Sequence, residues 1–106
     1  MSKAVAVGEK HLILGFKGVG FEIVPIDESE KLMHELNRLS RDPEIRLVLV
    51  TESMAREAPK ALEEFRERSP AVLTIIPTHE GSEHVSFHEI RRSVERSLGI
   101  DLLGKD

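Results

Sequence analysis

Arg46-Leu47-Val48-Leu49-Val50 decides the fold. Four branched apolar residues follow one another without a polar break. A half-buried strand alternates, whereas a continuous run of this length marks a strand covered on both faces. Such strands belong to parallel sheets with helices packed on either side. Ala4-Val5-Ala6-Val7, closed by Gly8, is a second run of the same kind. Phe21-Glu22-Ile23-Val24 alternates instead and reads as a strand with one wetter face. Ala71 to Ile76 supplies a fourth strand.

The stretches between these strands carry helical spacing. His11 to Lys17 reads as a short helix ended by Gly18 and Gly20. Asp27 to Glu30 has capping-box spacing, and Leu32, Met33, Leu36 and Leu39 then recur on one face until Asp42-Pro43 stops the helix. Met54, Ala58, Leu62 and Phe65 share a side of the next stretch, which contains Pro59. Proline inside a helix costs about 3 kcal/mol. The spacing therefore predicts a short turn over 52–57 and a helix starting near Ala58, with Pro59 in its first turn. Ser69-Pro70 closes that helix.

Strand and helix alternate throughout, so the prediction is a flavodoxin-like, doubly wound α/β fold. Its four-stranded parallel sheet runs in the order 2-1-3-4, followed by a C-terminal helix. Residues 1–80 form the body and 81–106 a closing loop and helix, within one domain. The order makes strand four an edge. It is nevertheless apolar, so the last helix or a partner is expected to cover it.

Composition narrows the function. A chain of 106 residues suggests a single domain. It has no Cys, which excludes disulfides and thiol chemistry. The formal net charge is −4, with four Phe and neither Tyr nor Trp. Nucleic acid is not an expected partner, because phosphate binding needs a basic face and base stacking needs aromatics. No apolar stretch reaches the roughly 18–20 residues of a membrane span, and the first apolar run is too short for a signal peptide. The expectation is a soluble, cytoplasmic protein without membrane insertion.

No motif predicts a catalytic residue, cofactor or metal. Gly15-Phe16-Lys17-Gly18-Val19-Gly20 has the wrong spacing for a dinucleotide fingerprint and lies between helix and strand. The strand ends carry Gly8-Glu9, Thr51-Glu52 and Pro77-Thr78. A phosphoacceptor receiver needs paired acids at the first place and an Asp at the second, so the pattern departs from it. Glu52 reads as a solvated or capping acid near a helix start. His79, Glu83, His84 and His88 cluster in sequence but lack H-E-x-x-H, and they read as exposed loop residues.

The closing stretch is more distinctive. Ser86-x-x-Glu89 is a capping box. Phe87, Ile90, Val94 and Leu98 then form one apolar stripe, about 80° wide on a rod near 20 Å long. Arg91 borders one side; Ser93 and Ser97 border the other. Two readings of the stripe stand side by side: it packs on the chain's own sheet, or it leans out to meet a partner helix.

Val7-Gly8, Gly15-Phe16-Lys17 with Gly20, Val50-Thr51-Glu52, Ile76-Pro77 with Gly81, and Glu89-Ile90-Arg91 with Val94 and Gly99 share a further property. In order and spacing they resemble the F subunit of the V-type and archaeal A-type rotary ATPases. The family often has Asp where this chain has Glu9, and its helix is usually unbroken where Pro59 stands. The resemblance implies a non-catalytic central-stalk component, peripheral to the membrane. It would bind the coiled-coil shaft, which is the D subunit, and turn with it inside the catalytic A/B ring. ATP hydrolysis or synthesis and proton or sodium transport would occur elsewhere in the complex. On matching positions it implies Phe87, Ile90, Arg91, Val94 and Leu98 as interface residues. The alternative is a stand-alone flavodoxin-like regulatory or ligand-binding module, with an enzyme a third reading.

Overall fold

A computed structural model describes residues 2–78 of the chain. The elements are β1 (Lys3–Gly8), α1 (Lys10–Lys17), β2 (Glu22–Pro25), α2 (Ser29–Leu39), β3 (Ile45–Thr51), α3 (Glu52–Glu57), α4 (Pro59–Arg68) and β4 (Val72–Ile76). The strands form one sheet in the order β2-β1-β3-β4, and every pairing is parallel. The doubly wound sheet is as the strand patterns require. The predicted C-terminal helix lies outside the described residues.

Alternation through the two central strands builds two cores. Val5 and Val7 of β1 and Val48 and Val50 of β3 point to one face, where Leu32, Leu36 and Phe65 of the helices meet them. Ala4, Ala6, Leu47 and Leu49 point to the other face, with Ile13 and Phe16 of α1. Successive strand side chains face opposite ways, so only a continuous apolar run can serve both cores. Strand β2 takes an edge, and none of its four residues is fully buried.

The helices follow their apolar stripes, with three corrections. In α2, Leu32, Leu36 and Leu39 are buried, each worth roughly 1.5–3 kcal/mol. Met33, predicted to share that face, is 46% exposed. It lies one residue, or about 100°, from Leu32 and falls on the shoulder of the stripe. The predicted capping box is not formed. The helix starts after Glu28, which makes no side-chain cap bond, and Asp27 pairs instead with Lys31 Nζ at 2.9 Å. Residues 52–57 form the helix α3 rather than a turn. The break before Pro59 is real: Ala58 has φ −140° and ψ 57°, and Pro59 opens α4. A residue before proline is pushed out of the helical region, so two short helices replace one long one.

At the end of α1, Gly18 keeps a helical φ of −68°, whereas Gly20 has φ +100°. The glycine-rich stretch is a helix stop and turn. It places Phe21 beside Phe16, their ring centroids 5.2 Å apart and tilted by 59°.

Candidate functional site

In a doubly wound sheet, ligands enter the crevice at the carboxyl ends of the strands, where the winding reverses. Here that point lies between β1 and β3. Glu9 follows β1, Thr51 ends β3, and Ser53 stands in the first turn of α3. Thr51 is fully buried, so its hydroxyl needs a partner. It donates to Glu9 Oε1 at 2.7 Å, and the Ser53 hydroxyl donates to Glu9 Oε2. Both carboxylate oxygens are thus engaged from within.

Burial pushes the Glu9 carboxyl up, but the bonds from Ser53 and Thr51, with its own backbone amide and the nearby His11, outweigh it. The net position lies below the ordinary glutamate range, and Glu9 is a carboxylate at neutral pH. The chain backbone is drawn tight at the same place. Gly8 has φ +155°, and a Cβ there would sit 2.4 Å from Thr51 Cγ2. Only glycine lets β1 end so close to the side chain that Glu9 accepts from.

The third strand end joins in. Thr78 Oγ1 accepts the Ser53 N–H at 3.0 Å, and the Thr78 N–H donates to Glu52 Oε1 at 3.1 Å. Glu52, read in the sequence as a solvated or capping acid, stands in the first turn of α3 and accepts from another strand's loop. The mouth of the crevice is lined by Glu9, Asp27, Glu28, Glu30 and Glu57. Lys10, His11 and Lys31 border the adjoining opening beside Glu9, so the charge around the crevice is mixed. Among the described residues, no three His, Asp or Glu side chains converge as a metal site would require. The cluster around His79, Glu83, His84 and His88 lies outside the described residues.

A second feature lies at the sheet margin. Val72 and Ile75 of the edge strand β4 are 36% and 41% exposed. Beside Ile75 an open groove of about 530 Å³ runs along Ala55, Arg56, Pro59, Leu62 and Arg66. Arg66 Nη2 donates to the Leu73 carbonyl at 3.1 Å, so one backbone acceptor of the edge is occupied by a cation. The predicted interface residues Phe87, Ile90, Arg91, Val94 and Leu98 lie outside the described residues. Sequence reasoning placed Thr51 and Thr78 at strand ends without a role, and did not single out Ser53. The only available signal was their position at the ends of β3 and β4.

Fold and strand ends together define a flavodoxin-like body whose strand-end polar groups bond one another across the usual ligand crevice. Residues 4–94 match the family model described as ATP synthase (F/14-kDa) subunit. The chain belongs to this family, the non-catalytic F subunit of V/A-type rotary ATPases. Among its relatives is the F subunit of the V-type ATP synthase of Clostridium botulinum, 28% identical over 95% of this chain and 97% of that protein. The corresponding protein of Fusobacterium nucleatum is 21% identical over 97% of each. The F subunit of the A-type ATP synthase of Thermococcus kodakarensis is 26% identical over 94% of this chain and 97% of that protein. No helix among the described residues is long and apolar enough to cross a membrane.

Proposed function

We propose that the chain works in the central stalk of a rotary ATPase, on the cytoplasmic side and peripheral to the membrane. It binds the coiled-coil shaft, the D subunit, and turns with it inside the catalytic A/B ring. The carrying observation is the family match over residues 4–94, which includes four of the five predicted interface residues. The strand-end bonds support it, because a body that satisfies its own strand-end groups suits a structural part better than a ligand receptor.

In this reading residues 81–106 are the partner-binding segment. Phe87, Ile90, Val94 and Leu98 pack against shaft helices, and Arg91 pairs with an acid beside them. Coupling of ATP turnover to proton or sodium movement then passes through the assembled shaft. Co-expression with the cognate long coiled-coil protein is expected to yield a stable one-to-one complex. Ile90→Asp with Val94→Asp is expected to abolish it while the fold of residues 2–78 persists. Intact shaft binding by that folded double variant would sink the interface assignment.

A further inference from the structure

Thr78 follows Pro77 just past the end of β4, and it is held from two directions. Its hydroxyl accepts from the Ser53 amide, and its own amide donates to the Glu52 carboxylate. A capping box makes this reciprocal exchange within one helix start. Here the exchange runs between two parts of the chain separated by 25 and 26 residues.

The cause is local. The N-cap position of α3 is Thr51, a residue type suited to capping, yet it makes no side-chain cap bond. Its hydroxyl is committed to Glu9. An amide in the first turn of α3 is thereby left without its usual acceptor, and Thr78 supplies one. Ser53 also bonds Glu9, so Thr78 is linked through it to the end of β1 and through Glu52 to the end of β3.

We propose that Thr78 is a positioning residue for partner binding: its exchange with Ser53 and Glu52 fixes where the partner-binding segment leaves the body. The inference rests on the central-stalk reading above. Strand β4 ends at Ile76, and Pro77 has no amide to donate. Thr78 is therefore the first residue after β4 whose amide and side chain are both tied to the body. A segment started from a fixed point loses less freedom when it docks, so the anchor raises affinity without touching the partner.

The experiment measures the affinity of the full chain for the coiled-coil shaft protein, together with thermal unfolding of each variant. Thr78→Val is expected to weaken binding by roughly five- to tenfold, and Thr78→Ser to restore it. Ser69→Ala serves as a control. It removes a comparable loop bond, the one from the Ala71 amide to Ser69 Oγ at 3.1 Å, far from the segment's exit. It is expected to lower the unfolding temperature and leave affinity unchanged. Should Thr78→Val fail to fold, Glu52→Ala breaks the other half of the exchange and is expected to weaken binding in the same sense. Native affinity in the folded Thr78 or Glu52 variant, or an equal loss in Ser69→Ala, overturns the proposal alone. Failure of the native chain to bind any shaft protein overturns the central-stalk reading, and this inference with it.

Discussion

Thr51 Oγ1 donates to Glu9 Oε1 at 2.7 Å across the carboxyl ends of β3 and β1. The bond joins residues 42 positions apart and gives a fully buried hydroxyl its acceptor. Thr51→Val keeps the shape and removes the donor. Urea unfolding is expected to show a loss of about 1–2 kcal/mol with an unchanged dependence on denaturant. An unchanged midpoint would mean that solvent serves Glu9 equally well.

The same carboxylate sets an acid limit. Burial opposes its charge, but hydrogen bonds from Ser53 and Thr51 leave its folded pKa below the ordinary value of 4.5. A carboxyl whose pKa is depressed by folding contributes stability that is fully present above the unfolded pKa. The contribution disappears as pH falls through the folded pKa. Asp27, bonded to Lys31, and Asp42, bonded to Lys3, are shifted the same way from 3.8. Stability is therefore expected to hold at neutral pH and to fall below about pH 4.5. In Glu9→Gln the acid-side fall should be shallower; an identical profile would remove Glu9 from the account.

Gly8 is a steric prediction. An added Cβ would meet Thr51 Cγ2 at 2.4 Å, Oγ1 at 2.5 Å and Cβ at 2.9 Å, at a φ of +155°. Gly8→Ala is expected to cost about 3 kcal/mol or more, read from chemical denaturation. Adding Thr51→Ala removes two of the three clashing atoms but leaves the Cβ contact. The double variant should recover part of the loss, so the two substitutions will not be additive. Full additivity would show that the two sites do not touch.

Two apolar residues of α2 should behave oppositely. Leu36 is 1% exposed and Met33 is 46% exposed. Leu36→Ala is expected to destabilise by about 2–5 kcal/mol and Met33→Ala by less than about 1 kcal/mol, measured by thermal and urea unfolding. Similar losses at both positions would restore the wider apolar face that the spacing alone predicts.

The contrast marks what a one-dimensional pattern carries. Leu47 to Val50 announces its two-sided burial, because every residue must be apolar when both faces are packed. From that run and the mixed β2, the order of the strands follows. Pro59 similarly announces a helix start, since ring geometry acts on its immediate neighbours. Asp27 and Glu30 fit a capping-box pattern, but a lysine one turn on, Lys31, captures Asp27. A spacing rule does not register that competition. The strand-end cluster was legible only as polar residues at strand ends. Which hydroxyl bonds which acid depends on how closely Gly8 lets β1 approach Thr51, and that distance exists only in three dimensions.

Arg66, reaching from α4 to the Leu73 carbonyl, has a consequence for the time before assembly. A sheet margin with free acceptors is a template onto which other copies can grow, and a cation laid across it is a known deterrent. Arg66→Ala is expected to make the isolated chain scatter light at high concentration, while its unfolding free energy falls by about 1–2 kcal/mol at most. If the variant stays monomeric, the guard lies elsewhere. While Arg66 is in place, one acceptor of that margin is closed to a second copy.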